Sequence, residues 1–592
     1  MSIIVQKFGG TSVADSEKIL AAARKAIRTE KEGKQVVVVV SAMGKNTDLL
    51  IELANQITEE PPAREMDMLL STGEQVSVAL MAMAIHSLGH EAISFTGAQM
   101  GIVTDSTHTK ARIRSISPDR MRQALEAGKI VIAAGFQGID ESFNITTLGR
   151  GGSDTTAVAL AAVLGAEACE IYTDVDGVYT TDPRVVPEAV RMKQISYDEM
   201  LELASVGAGV MHNRSIEFAK KFSVPVHVRS SFSDNPGTMI VSAPRSTDRP
   251  VSGAAVVKNE ARVTVLGIPD RPGAAMALFS KIAQRNVATD MIVQNVAAEG
   301  RADISFTVFR GDLPATLKAV EEALADLGAQ GCDYDDNVSK ISVVGLGMAT
   351  RPGVAETMFR TLAEKGINIL MISTSEIKIS VLVDRDCAAE ALRTVHAAFQ
   401  LDVEQPEAES PGGEAQETVP PGAAADMVAR MQAMEQLMIE RIALDETQAR
   451  ITLLGVPDTP GLAAQVFDEV AEAGIVVDMI VQSIGRQGHA NLSFTVPASD
   501  LKAGVAVAAR LAEGFGGPPP TSCPKVAKLS VSGIGMRSHT SLASRMFQSL
   551  AAEGINVEMI STSEVRVNVV VDGRDGARAL AVLEREFADV MV

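Results

Sequence analysis

Tryptophan is absent from the 592 residues, tyrosine and cysteine occur four times each, and aromatic residues make up only 4% of the chain. Cys169, Cys332, Cys387 and Cys523 are scattered without ligand spacing. That excludes a zinc ribbon or a disulfide framework and fits a reduced, cytoplasmic protein with no metal held by cysteine. Basic charge is also scarce. Lys plus Arg is 54 against 74 for Asp plus Glu, a net charge of −20, which argues against nucleic acid or an anionic membrane as the main partner. An anionic substrate would need basic residues gathered locally. No apolar run approaches the ~20 residues of a membrane span, and Met1-Ser-Ile-Ile-Val-Gln-Lys7 lacks a signal-peptide layout. The remaining composition, 46% apolar and 22% charged, is that of a soluble globular chain, and its length implies roughly four or five domains.

Residues 262–399 return as 450–587 at a constant offset. Arg262-Val-Thr-Val-Leu-Gly-Ile-Pro-Asp-Arg-Pro-Gly273 matches Arg450-Ile-Thr-Leu-Leu-Gly-Val-Pro-Asp-Thr-Pro-Gly461, and Met371-Ile-Ser-Thr-Ser-Glu376 matches Met559-Ile-Ser-Thr-Ser-Glu564; 450 − 262 and 559 − 371 both equal 188. A fixed offset held this long marks a duplicated structural unit. The chain therefore reads as an unrepeated head followed by a doubled tail, the layout of a catalytic part with a sensor.

The head, residues 1–245, alternates β-rich runs (3–5, 36–40, 92–95, 130–134, 170–173, 224–228) with helical ones (16–29, 63–88, 118–127, 154–164, 197–221). The all-apolar Val36-Val-Val-Val-Val40 predicts a strand covered on both faces, hence an α/β sheet with functional loops at its strand ends. Residues 246–261 read as a connector. Each half of the tail then holds two pieces of the same pattern. In the first, strand 263–266, helix 274–284, strands 290–295 and 303–309 and helix 313–327 form a small α+β module. Residues 402–425, rich in Pro, Gly, Ala and Glu, read as a linker. The Met-rich stretch 426–444 reads as a helix, for packing or for a partner.

Three clusters in the head carry chemistry. Lys7-Phe-Gly-Gly-Thr-Ser12 follows the first strand and precedes a helix; Gly9 and Gly10 allow backbone N–H groups to approach an anion, and Lys7 adds a point charge. A tight structural turn has the same signature. Gly44-Lys-Asn-Thr47 is not a P-loop, because no glycine stands five residues before Gly44. Leu148-Gly-Arg-Gly-Gly-Ser-Asp-Thr-Thr156 opens a helix: Arg150 offers a fork for a carboxylate, Gly151 and Gly152 expose backbone donors, and Ser153 caps or bonds. Asp154 is either functional or an ordinary first-turn acid. Tyr172-Thr-Asp-Val-Asp-Gly-Val-Tyr-Thr-Thr-Asp-Pro-Arg184 is a strand entering an Asp-rich turn. Its spacing is wrong for an EF-hand and suits a nucleotide with its magnesium, Arg184 lying near phosphates.

These clusters, with Ser41-Ala-Met-Gly44 and Ser71-Thr-Gly-Glu74, resemble the amino-acid-kinase family and, within it, the aspartokinases. The resemblance spans nearly the whole chain. It implies a three-layer α/β kinase domain at 1–245, and phosphoryl transfer from MgATP to the side-chain carboxylate of aspartate at the head of the lysine, threonine and methionine pathway. It implies that Lys7 steadies the transferring group and that Phe8, Gly9, Gly10 and Ser41 surround the phosphates. Ser41, Thr47, Glu74, Arg150, Gly152 and Ser153 would hold aspartate, Glu74 on the α-ammonium and Arg150 with Ser153 on the α-carboxylate. Asp154 would orient Lys7 or the reacting groups, and Thr173, Asp174, Tyr179, Asp182 and Arg184 would line the nucleotide site. A carboxylate is already nucleophilic at neutral pH, so alignment and charge neutralisation suffice. The chain departs from the family at Gly209, where a Lys that helps hold the nucleotide is usual; His212 and Arg214 are nearby cations.

The tail modules resemble ACT domains, ferredoxin-like α+β units in two tandem pairs at 262–330, 340–401, 450–516 and 526–592, with 402–449 between. In Pro269-Asp-Arg-Pro-Gly-Ala-Ala275 and Pro457-Asp-Thr-Pro-Gly-Leu-Ala463 a Pro-Gly loop enters a helix whose free N–H groups suit an effector carboxylate. Asp270, Gly273, Ala275 and Gln294 form one candidate set and Asp458, Gly461, Ala463 and Gln482 the other. Asn368 and Asn556, from the second and fourth modules, complete sites in the first and third. The fourth module has His539-Thr-Ser541 where the second has Arg351-Pro-Gly353. Gly345-Leu-Gly347 and Gly533-Ile-Gly535 lack the third glycine of a dinucleotide loop and read as turns. The resemblance implies inhibition by lysine, threonine or both, and a homodimer paired through the ACT sheets. Two other readings stand beside it: a kinase acting on glutamate or a nucleotide, and a non-catalytic amino-acid-binding regulator with a degenerate head.

Overall fold

Val36 to Val40 are each at most 1% exposed, and they divide between two cores. Val37 and Val39 pack with Ala157, Leu160 and Ile171, whereas Val36, Val38 and Val40 pack with Ile19, Ala23, Met81 and Ile85. In the computed structural model this strand is the centre of an α/β/α head. The residues described are 1–206, 210–244, 249–285, 287–296, 300–349, 351, 353–404, 435, 437–484, 488–536 and 541–591. The eight strands run Gln194–Ser196, Thr238–Val241, Val226–Ser230, Ala168–Thr173, Ile3–Phe8, Gln35–Val40, Ile130–Ala134, Ala92–Phe95 across the sheet. Neighbours are parallel except Val226–Ser230 with Thr238–Val241. From Ile3–Phe8 the chain turns to one side for Gln35–Val40 and later to the other for Ala168–Thr173. The crevice at that switch, beyond the carboxyl ends of the strands, is where ligands bind in such sheets.

A second, four-stranded sheet (Ile113–Ile116, Ile102–Thr104, Gln137–Ile139, Ile145–Thr147) stands over the crevice. The sequence reading missed it, because its strands have only three or four residues. It also missed helix Asn46–Ile57. The helix expected over 63–88 is two, Ala63–Leu70 and Thr72–Ser87, meeting at Ser71. Its span Ala63–Ser87 is long and apolar enough for a bilayer by length and composition, contrary to the expectation that no run would qualify, but it is a mostly buried element of the head. The helix expected over 197–221 is also two. Tyr197–Ser205 starts with a Ser196/Glu199 capping box and Asn213–Lys221 is capped by His212; between them the sequence carries Gly-Ala-Gly, which disfavours helix. Gly209 lies outside the described residues.

The tail is one twelve-stranded sheet. Two expectations fail here. Residues 253–261 are not a connector: Gly253–Pro269 is a single strand whose first part pairs with residues 340–344 and whose second part pairs with Arg301–Phe309. The second module thus takes its fourth strand from before the first module, and among the described residues no strand of its own follows its last helix, Ala388–Ala398. Residues 438–444 are not helical but begin strand Met438–Pro457, which serves the third and fourth modules in the same way. Most of the expected linker, and 426–434 of the expected helix, lie outside the described residues.

The modules pack crosswise. Helices Val354–Glu364 and Leu462–Glu472 share a core joining the second module to the third, and Ala274–Ala283 shares one with Ser541–Ala552, joining the first to the fourth. Strand Met371–Thr374 pairs with Ile480–Ile484 across the repeat. Ser373 and Ser561, exactly one offset apart, face each other at 3.4 Å. They mark a pseudo-two-fold axis within a single chain.

Candidate active site

Lys7 is the penultimate residue of the first strand, and Phe8, which ends it, is buried and stacked on Tyr172 at 4.7 Å between ring centroids. Only the backbone of Phe8 is therefore placed to meet a ligand. A Cβ on Gly10 would stand 2.8 Å from the Ala42 carbonyl oxygen, so glycine alone lets this turn close against the loop after Val40. Lys7 Nζ pairs with Asp154 at 2.6 Å, both nearly buried. Asp154 lies in the first turn of helix Gly152–Leu164, capped by Gly151 in the left-handed region (φ 69°) with His212 packed where a Cβ would go. The free N–H groups of that turn carry the positive end of the helix dipole.

Lys7, Gly10, Ser41, Thr47, Glu74, Arg150, Gly152, Ser153 and Asp154 line one cleft of about 1050 Å³. Glu74 is 3% exposed. One carboxylate oxygen accepts from Ala42 N at 3.0 Å, and the other is buried without a hydrogen-bond partner. Burial pushes the Glu74 carboxyl up to about 7, against the lowering effect of the Ala42 N–H. An orphaned, desolvated carboxylate beside a cleft is a receptor for a cation. On the same cleft Arg150 is exposed. One pole thus attracts an ammonium and the other a carboxylate.

The remaining expected residues are placed less uniformly. Thr173 and Asp174 lie at the end of the strand beside Lys7, and Gly9 N donates to Tyr172 O nearby. Tyr179 donates to Asp176 at 2.8 Å. Asp182 and Arg184 are turned to each other in a two-pronged pair, and Arg184 is 87% exposed. None of Thr173, Asp174, Tyr179, Asp182 or Arg184 borders that cleft. Arg214, a nearby cation in the sequence reading, is engaged in the wall: it donates to the carbonyls of Leu148 and Ala111 at 2.6 Å each and pairs with Glu435. His212 borders the cleft, held below its ordinary range by burial and by Arg214.

Sequence reasoning missed Thr109, Lys110 and Arg112, which reach the cleft from a loop of the small sheet, and Glu435, Ile534 and Gly535, which reach it from the tail. Nothing local marks them. Asp67, on the buried face of helix Ala63–Leu70, holds Thr109 in place, but its burial shows only in the fold.

The tail candidates fall into two composite sites. Asn556 Nδ2 donates to Asp270 and Asn368 Nδ2 to Asp458, each at 2.8 Å. Gln294 donates to Val557 O at 2.6 Å and Gln482 to Ile369 O at 3.2 Å. The side-chain oxygens of both glutamines are buried without partners. Gly273 and Gly461 cap the adjoining helices at φ 90° and 93°, with Ala275 and Ala463 buried in their first turns. Head and tail meet through Glu202, fully buried, which pairs with Lys378 of the second module at 2.7 Å and accepts from Glu564 N of the fourth at 3.0 Å. Burial raises the Glu202 carboxyl, opposed by Lys378. Glu564 in turn accepts from Asn213, next to His212.

The amino acid kinase family profile matches residues 2–230, and the ACT domain profile matches 341–399, 451–510 and 529–587. The chain is 51% identical to the aspartate kinase of Stutzerimonas stutzeri over 404 residues, 68% of this chain and 98% of that protein. Among solved structures, the aspartate kinase of Synechocystis aligns at 42% identity and a TM-score of 0.52, covering 99% of this chain and 98% of that one. E. coli aspartokinase III, solved with aspartate and ADP, aligns at 26% identity and 0.57 over 67% of this chain and 99% of its own. Its complex with lysine and aspartate gives 25% and 0.54, over 67% and 99%.

Proposed function

The chain belongs to the aspartokinase family, and on that premise we propose that it transfers the γ-phosphoryl group of MgATP to the β-carboxylate of L-aspartate, giving 4-phospho-L-aspartate. The observation that carries this reading is the unpartnered Glu74 oxygen facing the same cleft as Arg150 and the Lys7–Asp154 pair. Glu74 takes the α-ammonium, and its proton leaves as the cation arrives. Arg150 and Ser153 take the α-carboxylate. Thr47 and Ser41 border the side chain, which is left directed at the phosphate. The β-carboxylate attacks phosphorus, and the bond to the β,γ-bridging oxygen of ATP breaks, releasing ADP. Lys7, held by Asp154, neutralises charge on the equatorial oxygens, as do the N–H groups at Gly10 and the start of helix Gly152–Leu164, while Gly9, its N–H turned to Tyr172 O, lets the phosphates approach. Thr173 and Asp174, at the end of the strand beside Lys7, would meet the magnesium carried by the nucleotide, which would offset phosphate charge. Tyr179, Asp182 and Arg184 border the nucleotide, and Arg184 must leave Asp182 to meet phosphate.

The tail senses end products. E. coli aspartokinase III has been solved with lysine, and here the orphaned Gln294 and Gln482 oxygens support binding of an effector ammonium at two sites. Lysine, threonine or both would open the Asn556–Asp270 or Asn368–Asp458 bond, and the Glu202–Lys378–Glu564 contact carries the change to His212 and the cleft. A homodimer through the ACT modules would use faces other than the edges now joined within the chain. The direct test is acyl phosphate trapped as hydroxamate from ATP, magnesium and either aspartate or glutamate. Aspartate-dependent product that falls with added lysine and threonine is expected. Product from glutamate alone, or none, refutes the reading.

A further inference from the structure

Asp67 lies outside the cleft and is fully buried. It is held by hydrogen bonds from three residues rather than by any lysine or arginine. Thr109 N donates to both of its oxygens at 3.0 and 3.1 Å, Thr147 Oγ1 donates at 2.5 Å, and the His108 Nδ1–H donates at 2.7 Å. Thr109 and Thr147 belong to the cleft wall. Thr147 ends the strand from which residues 148–152 hang, its carbonyl accepts from Ala111 N at 2.9 Å, and the Thr109 carbonyl closes on Gly149, where a Cβ would stand 3.0 Å away. Both attachments thus flank the turn that carries Arg150. Asp67 itself belongs to helix Ala63–Leu70, which runs through Ser71 into the helix carrying Glu74, and Gln137 Nε2 adds a parallel tie to Ser71 O at 2.9 Å. A buried carboxylate therefore joins the element bearing one pole of the cleft to the elements bearing the other.

We infer that Asp67 is a positioning residue that sets the span between Glu74 and Arg150, and so the fit of the amino-acid substrate; this rests on the roles given to Glu74 and Arg150 above. The nucleotide side rests mainly on the ends of Ile3–Phe8 and Ala168–Thr173, which Asp67 does not touch; it shares with Asp67 only the start of helix Gly152–Leu164. Misplacement of an anchoring group by an ångström costs up to about a hundredfold. D67N keeps the shape but loses the charge and one acceptor, and should raise KM for aspartate about tenfold or more, with KM for ATP within about twofold and kcat within about threefold. H108A removes one bond without touching the cleft wall, and should move the same ratio about threefold. Combined with R150K, D67N should add less than its separate effect, because both act on one contact. If D67N does not fold, H108A decides. The inference is overturned if KM for both substrates rises in parallel, or if neither variant moves KM for aspartate while R150K does. If R150K itself leaves KM for aspartate unchanged, the reading of the two poles fails instead.

Discussion

The two copies of the tail present equivalent faces, and only one of them meets the kinase head. Ala255, Val257 and Val344 are buried in the core of the head. Their counterparts 188 residues on are Ala443, Asp445 and Ser532, partly exposed. Glu564 and Lys378, both about 5% exposed, receive Glu202. Their counterparts Glu376 and Arg566 pair with each other, 40% and 26% exposed, beside a solvent-facing groove. The two surfaces are equivalent by repeat, and the one away from the head carries polar Asp445 and Ser532 where the other carries apolar Val257 and Val344. Burying Asp445 and Ser532 against the head would strand polar groups, costing on the order of 1–3 kcal/mol each. The head therefore packs against one face of the doubled tail, and under the proposed function the composite sites would reach the cleft through that face, where Glu202 is the fully buried contact among several.

The strongest way to break this contrast is to disrupt that contact. Replacing Glu202 and Lys378 together by methionine avoids leaving a lone buried charge, which would cost about 3–5 kcal/mol. The half-inhibitory concentration of effector should rise about tenfold or more, with basal activity kept and calorimetric effector binding unchanged. Retained inhibition would refute the route. Next in size, N556A and N368A should each weaken effector binding at one composite site by about tenfold, measured by calorimetry. Equal loss at both sites from either variant would contradict their independence. The smallest effect belongs to the exposed face: E376Q with R566M should shift inhibition less than about twofold, as expected of a surface pair. A shift as large as that of the buried pair would erase the distinction.

The sequence made the head legible because its chemistry sits in glycine-rich turns beside strands, where residue type and conformation are tied together. Lys7, Glu74, Arg150 and Asp154 could be assigned to one cleft before any coordinates. The repeat marked Asn368 and Asn556 as candidates at one offset, but their crossed pairing with Asp458 and Asp270 is visible only in the fold. Connectivity was hidden. Residues 253–257 complete a module whose paired strand, 340–344, lies far along the chain, and no local pattern records a strand's partner. Short strands such as Ile145–Thr147 are too brief for periodicity. Asp67 was passed over because a helical aspartate is ordinarily a solvated one, and only its neighbours reveal the burial.

Aspartate binding to the wild type and to E74Q, measured calorimetrically at pH 6 and pH 8, tests the central claim most directly. With Glu74 raised to about 7 in the empty cleft, it is protonated at the lower pH and ionised at the higher. Wild-type affinity should fall by about tenfold on going from pH 8 to pH 6, while E74Q should bind weakly and equally at both. The same pH dependence in E74Q, or undiminished affinity in that variant, would mean that Glu74 does not receive the substrate's ammonium.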